Sequence, residues 1–493
     1  MENRCVFTYY ITEEKVAIPE LPVEKEFGKY TILMDNNTPF SVAFNGENAC
    51  AIFGVAVNVL SGDSSNLVKW IVDNCKDVHD VVEYERHLGG KYVLLFKDKE
   101  QYYMQGDATC SVPICYDTEG PFACSSNDQY IVGKKGYCTD GEYEAIRNSG
   151  DISQAMPYDI TSYRQVKQLI PNHYLDINKR THVRFVNARS AQKTISVKEA
   201  TNIALPMIKN LLDFYLRNFK IYCPITGGRD SRVVLSFLME GKADFSCYTI
   251  KHPEHNENTQ DIVVPVALCK KEGIEHALIE DIVLSDTLIN EIDNVLGKGK
   301  YSLRTLRIGQ TIKENFGAGA IINGDIIGQV GKCSLHRDIP AIFATPSYFR
   351  CKLHNYSKGA KLQLKKWLNE IRSNGEKVNA FDLFSIENRM GRWASQSGAV
   401  YHAIGQVSLN IFNSRSIIYT WTAVKRSERM KSLLHVDLIK NTTPALLDTP
   451  FGADESVVVK MSKSCGIFYL LASYVKFYVQ KKQFIRKSVK YPQ

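Results

Sequence analysis

CPITGGRDSR, residues 223–232, is the stretch on which the reading of this chain turns. A short apolar run over residues 220–225 predicts a strand, and the apolar spacing over 232–239 predicts a helix. Gly227 and Gly228 between them allow the tight curvature of a turn. A further apolar run at 245–250 predicts a second strand, so the order strand, loop, helix, strand is that of a parallel sheet with covering helices. At such a junction, successive backbone amides and a helix N-terminus can surround phosphate oxygens. Thr226 and Ser231 add hydroxyls, Arg229 and Arg232 add positive charge, and Asp230 is a candidate ligand for a magnesium ion bridging phosphates. A plain turn with a helix cap explains the same spacing, and both readings stay open at this point. The Gly-Lys-Ser or Gly-Lys-Thr ending of a Walker loop is absent.

Upstream, apolar runs at 5–11, 30–34, 49–60, 92–96 and 111–116 alternate with turn signals and predict a sheet-rich first part, with helical spacing over 67–82. The segment 197–219 has helical spacing despite Pro206, which places the start of a new domain near residue 190. Downstream, 318–323 predicts a buried strand, and 362–371, 424–434 and 465–479 predict helices.

At 493 residues the chain is long enough for about three domains. Its 44% hydrophobic and 23% charged residues exclude wholesale disorder and collagen-like architecture. The net charge of +8 is modest over this length and does not imply nucleic acid. The longest apolar run near the C-terminus is too short to span a bilayer, and the N-terminus lacks a secretory pattern, so no membrane helix and a cytoplasmic location are expected. Thirteen cysteines without a CxxC pair point to reduced, buried thiols, and no metal is assigned from them.

The decapeptide resembles the pyrophosphate loop, SGGxDS, of the asparagine synthetase and β-lactam synthetase family, with Thr226 in place of the leading serine. GDATCSVPICYD (106–117), FACSSN (122–127), LIPNHYLDI (169–177), ENRMGRWASQ (387–396) and NIFNSRSIIYTW (410–421) are similar to that family in the same order. The resemblance implies an α/β and α+β chain. Residues 1–185 would form a degenerate class II glutamine amidotransferase domain, an Ntn-type αββα sandwich. Residues 190–493 would form a PP-loop ATP pyrophosphatase domain with a helical C-terminal part.

On that resemblance, Thr226, Gly227, Gly228, Arg229, Asp230, Ser231 and Gly324 would bind ATP, and Asp230 with Asp325 would hold Mg2+. The family's second acidic motif is altered here to Gly324-Asp325-Ile326-Ile327-Gly328-Gln329, with Gly328 at the usual acidic metal position and Asp325 as the nearby substitute. The edge at 245–250 would receive adenine, and Asp261 is read either as a site residue or as a helix N-cap. His252 and His255 are read as loop residues rather than metal ligands. Glu387 and Arg389 are candidate catalytic residues, Glu387 for an amine and Arg389 for a carboxylate or the AMP phosphate. Arg392, Trp393 and Gln396 share their segment, for which interhelix ion pairing is the alternative. Asn413 and Arg415 are read as late substrate-loop residues or as a cap on a following strand. Residue 2 is Glu2, so the N-terminal cysteine of a glutaminase is missing, and Cys5 is read as a buried thiol on the first strand.

The expected activity is an ATP-dependent, AMP-forming carbon-nitrogen ligase. It would convert a small or peptide carboxylate to an acyl-adenylate and transfer it to an amine or ammonia in specialised biosynthesis. An ammonia-supplying or carrier protein is a possible partner, and the basic run Lys481, Lys482, Arg486, Lys487, Lys490 is read as a solvated helix. Two alternatives are a glycan- or nucleotide-sugar-modifying amidotransferase using external ammonia and an inactive nucleotide-binding scaffold.

Overall fold

A computed structural model describes residues 5–150, 156–185, 193–336, 339–373, 379–452 and 466–490. Residues 2 and 465 and the side chains of Arg486, Lys487 and Lys490 lie outside the described part.

The first part holds two antiparallel sheets. One runs β10-β8-β9-β1-β3-β2, from β1 (Tyr9–Thr12), β2 (Val23–Phe27), β3 (Tyr30–Met34), β8 (Cys115–Asp117), β9 (Ala123–Ser125) and β10 (Val166–Gln168). The other runs β12-β11-β7-β6-β5-β4, from β4 (Phe40–Asn45), β5 (Asn48–Asn58), β6 (Leu88–Asp98), β7 (Gln101–Gly106), β11 (His173–Asp176) and β12 (Thr181–Arg184). Alternation along the strands sets the layers. Tyr9, Ile11, Ile32, Ala51, Phe53, Val93, Leu95 and Met104 face a shared core between the sheets. Cys50, Ile52, Tyr92 and Leu94 face the other way, onto α1 (Leu67–Asn74) and α2 (Val78–Glu85). Tyr10 and Leu33 of the first sheet face Ile131 and Val132 of α3 (Asp128–Lys135). The result is an α-β-β-α sandwich, with Tyr30 and Tyr102 meeting edge-on at 4.9 Å between its sheets. Helix α4 (Gly141–Arg147) leads away from it.

The expected single helix over 67–82 is two helices, broken where Asp77 caps α2 by accepting from the amides of His79 and Asp80. The expected strand at 111–116 pairs only from Cys115 onward. Cys5 lies before β1 rather than on it.

After α5 (Val197–Asn218), which accommodates Pro206, five parallel strands form a third sheet. They are β13 (Ile221–Pro224), β14 (Phe245–Lys251), β15 (His276–Glu280), β16 (Ala320–Ile322) and β17 (Val407–Leu409), in the order β15-β14-β13-β16-β17. The chain steps outward from β13 through α6 (Asp230–Glu240) and α7 (Gln260–Glu272), then returns past α8 (Asp286–Leu296) and α9 (Leu303–Phe316) to lay β16 on the other side of β13. That reversal between β13 and β16 is a topological switch point, where open α/β sheets leave a crevice beyond the carboxyl ends of their strands.

A helical part, including α10 (Pro346–Lys352) and α11 (Lys358–Ser373), packs around Phe349, Trp367, Phe381 and Phe384. Phe349 and Phe384 stack at 4.6 Å. The expected helix at 424–434 is interrupted, as Arg426–Met430 and Leu433–Lys440, by Ser432 in a left-handed conformation. No described helix is long and apolar enough to cross a membrane.

Strands β5 and β6 meet closely at Gly90, whose φ is +141° and whose added Cβ would stand 2.2 Å from the Val55 carbonyl oxygen. Gly90→Ala is therefore expected to destabilise the chain by about 2–4 kcal/mol, read as a lower urea midpoint with unchanged slope.

Candidate active site

Beyond the carboxyl ends of β13, β14, β16 and β17 lies a cavity of about 610 Å³. Ile225 and Thr226 continue β13 into it, Thr249 and Ile250 end β14, Asn323 and Asp325 follow β16, and Asn410 follows β17. The facing wall comes from Arg389 and Trp393 of the π-helical segment Ser385–Ala394 and from Tyr401 of the helix Ser395–Ala403. Arg389 lies over the Trp393 ring at 4.0 Å, which fixes its guanidinium against that wall. Its sandwich-side wall includes Gly90, Lys91, Thr109 and Ser111.

The glycine loop is more engaged with itself than the sequence predicts. Thr226 N donates to Ser231 Oγ (3.2 Å), Gly228 N to Thr226 Oγ1 (3.2 Å), and Gly227 N to Asp261 Oδ1 (2.9 Å). The backbone donors left over at this junction are those of the first turn of α6, whose amides have no intrahelical partner. Thr226 is the loop residue that lines the cavity. Asp261 is not the N-cap of α7, a position held by Thr259; it sits in the first turn and holds the loop.

The loop meets the segment after β16. A Cβ on Gly324 would stand 2.8 Å from the Asp230 carbonyl oxygen, and one on Gly328 would stand 2.6 Å from Asp230 Oδ2. A side chain at 328 would displace the Asp230 carboxylate, so glycine at that position leaves the carboxylate where His435 holds it. Asp230 Oδ1 is held at 2.8 Å by Nε2 of His435, a buried residue on the helix Leu433–Lys440 that the sequence does not mark. Burial works to raise the Asp230 carboxyl, and the bond to His435, with the charges of His435, Lys332 and Arg229, outweighs it and holds the group below its ordinary range. Asp325 is pushed up to about 6, first by burial and then by the negative charge of Asp230, with Arg389 opposing. Asp230 and Asp325 are thus close enough for the charge of one to disfavour ionisation of the other.

Other expectations need correction. Arg232 does not reach toward phosphate: it is fully buried, donates to the carbonyls of Leu446, Thr449 and Pro450, and stacks on Phe451 at 4.1 Å. Arg229 also lies on Phe451, at 4.6 Å. Glu387 is not a pocket base. It is buried, with both oxygens on Arg184 (2.7 and 2.8 Å), Oε1 also on Asn172 (2.8 Å) and Oε2 on Trp367 Nε1 (2.7 Å). Its carboxyl is buried, which works to raise it, yet Arg184 holds it below the usual range. Arg392 is likewise buried, on the carbonyls of Met156 and Ile160. Arg415 caps no strand; it crosses to the sandwich, pairing with Glu85. Asn413 also crosses, donating to the Gly90 carbonyl at 2.7 Å, and it lines the cavity. His252 and His255 line the cavity too, with His252 Nδ1 2.7 Å from Asp281.

Lys91 is not among the residues singled out from the sequence; its visible signal is a lysine immediately before the apolar run 92–96. It is 2% exposed, its Nζ donates to the Ser111 carbonyl at 3.1 Å, and burial lowers its ammonium to about 8 against the pull of Asp107. Cys5 is pushed up to about 11 by burial and by Asp35 and Glu20, which suppresses its thiolate.

No family model matches the chain, and no curated protein matches it. Two solved structures show remote likeness. One is an allosteric regulatory enzyme of purine biosynthesis, at 10% identity over 59% of this chain and 64% of that one, with a TM-score of 0.24. The other is a glutamine phosphoribosylpyrophosphate amidotransferase from B. subtilis complexed with ADP and GMP, at 11% identity over 68% and 72%, with a TM-score of 0.23. This chain spans less than two thirds of the first of these.

Two outcomes follow from that geometry. The raised Asp325 carboxyl makes the folded protein hold a proton that the unfolded chain has lost, so its contribution is intact below pH 4 and is lost as pH rises through about 6. Asp325→Asn is expected to stabilise the ligand-free chain at pH 8 by on the order of 1–3 kcal/mol and to converge with wild type below pH 4 in thermal melts. A pH-independent difference would contradict the raised carboxyl. Glu387→Ala is expected to cost about 3–5 kcal/mol in urea unfolding while leaving nucleotide affinity of the folded protein unchanged.

Proposed function

We propose that the chain is an ATP-dependent, AMP-forming amide ligase of the asparagine synthetase and β-lactam synthetase type, with a PP-loop nucleotide site and an amidotransferase-like sandwich that does not use a cysteine nucleophile. The observation that carries this reading is the cavity at the switch point, lined by Thr226 and Asp325, with the N-terminus of α6 following Thr226 closely in the chain.

The division of labour follows from where each group sits. The ends of β13 and β14 offer a flat apolar edge, Ile225 and Ile250, for an adenine. The first-turn amides of α6 and the Thr226 hydroxyl face the charge that develops on departing pyrophosphate. Asp230 and Asp325 would hold magnesium, which supplies positive charge to those phosphates when bound. A substrate carboxylate oxygen attacks the α-phosphorus, the bond to pyrophosphate breaks, and the amine nitrogen then displaces AMP from the acyl carbon. Arg389 is placed for the carboxylate or AMP phosphate. Lys91, buried at the sandwich end of the cavity, suits an anionic group on the substrate.

A nucleotide-binding scaffold is the second reading, and the contact between Asp230 and His435 favours it by engaging one oxygen of a would-be metal ligand. Release of AMP and pyrophosphate during incubation with ATP, magnesium and mixed carboxylates and amines separates the two. The ligase reading expects amide products by mass spectrometry and a fall of at least about 100-fold in Asp230→Asn. ATP binding without AMP release across such a mixture would move the scaffold ahead.

A further inference from the structure

Away from the cavity, His173 on β11, His182 on β12 and Glu370 on α11 bring one ligand atom each to within 4.8 Å of one another. None of the three lines the cavity.

The protons of this cluster can be assigned from its partners. His173 Nδ1 lies 2.9 Å from the Pro171 carbonyl oxygen, an acceptor with no proton to give, so Nδ1 carries the hydrogen. In the neutral ring Nε2 is then a lone pair, and it faces Glu370 Oε1 at 3.1 Å, which is also an acceptor. His182 Nε2 is 3.9 Å from the same oxygen. Tyr158 Oη has one hydrogen and lies 3.0 Å from Glu370 Oε2 and 3.1 Å from His182 Nε2. Arg184 Nη2 supports Oε2 from 3.3 Å. On the other side of His182, Nδ1 meets Tyr116 Oη at 3.2 Å, a hydroxyl able to accept its hydrogen. His173 Nε2 and Glu370 Oε1 are thus two acceptors face to face, which requires either an added proton or a cation between them, and His182 Nε2 stands beside that pair.

Carboxylates surround the histidines: Asp159, Glu370 and Glu387 lie beside them, with Arg184 on Glu370 and Glu387, and Lys167 on Asp159 at 2.9 Å. The outer partners are those that orient metal ligands: a backbone carbonyl on His173, a tyrosine hydroxyl on His182, and tyrosine with arginine on the carboxylate. Tetrahedral zinc with nitrogen and oxygen ligands needs ligand atoms roughly 3.3 Å apart, so the observed 3.1 and 3.9 Å to Glu370, with all three atoms within 4.8 Å of one another, call for a convergence of up to about 1.5 Å.

We propose that His173 Nε2, His182 Nε2 and Glu370 form a zinc site that fastens the β11–β12 edge of the sandwich to α11, with a fourth position for water. The N2O donor set selects zinc over magnesium or calcium. The site is independent of the ligase reading.

The test uses the full chain, stripped with a chelator and titrated with zinc alone by calorimetry, with cobalt as a spectroscopic stand-in. About one equivalent of zinc is expected, with a higher melting temperature and cobalt absorption of a tetrahedral nitrogen and oxygen site. His173→Ala and His182→Ala should abolish uptake, and Glu370→Gln should weaken it at least about 10-fold. Absence of zinc uptake by the folded, stripped chain would overturn the proposal and leave a proton-bridged ion pair. So would uptake that survives all three substitutions, or a thiolate-to-cobalt charge-transfer band in the wild-type chain. The cobalt spectrum of the wild type decides the matter even if a variant fails to fold.

Discussion

Asp230 is confined from three directions, and the candidate site is organised around that confinement. Gly324 presses on its backbone, Gly328 leaves space for its carboxylate, and His435 holds one of its oxygens. The loop after β13 and the segment after β16 are consequently locked together across the switch point. Asp325 feels that closeness as electrostatic cost, because a second carboxylate beside Asp230 ionises against both burial and a like charge. An arrangement that disfavours two nearby negative charges in the ligand-free chain is one that positive charge relieves. Local instability of this kind is a usual companion of binding sites.

Much of the fold was legible because its signals are local. The run 220–225, two glycines and a helical spacing after them gave β13, the turn and α6 without reference to anything distant. The apolar runs 49–60 and 92–96 likewise marked β5 and the middle of β6. Several short strands escaped because three or four residues, as in β9, β10 and β17, cannot show a period and are strands only through their neighbours. The ends of helices were set by caps such as Asp77, which a reading of apolar spacing alone passes over.

The site was legible in part, for the same reason. Thr226, Asp325 and Arg389 reach the cavity, whereas Glu387 and Arg392, equally polar and in the same segment, turn inward to partners more than 200 residues away. Nothing in the pattern ENRMGRWASQ distinguishes these fates, because adjacent helical positions face different neighbours. His435 reaches Asp230 across 205 residues and has no motif of its own. Asp261 was read as either a cap or a site residue; it is neither a cap on its own helix nor distant from the site, since it holds the Gly227 amide.

The sandwich also acquires a definite place in the architecture. Burial and the charges of Asp35 and Glu20 keep the Cys5 thiol protonated, so an attacking thiolate is disfavoured there. Yet Gly90 and Lys91 of β6 wall the cavity, Asn413 bonds the Gly90 carbonyl, and Arg415 reaches Glu85 from the opposite direction. Removing the sandwich would take Lys91 away with β6 and open that end of the cavity to water. Attraction between a buried ammonium and an anionic substrate group depends on that exclusion of water. The constraint on the sandwich is therefore to keep Lys91 dry and in position, a demand that persists with or without nucleophilic chemistry of its own.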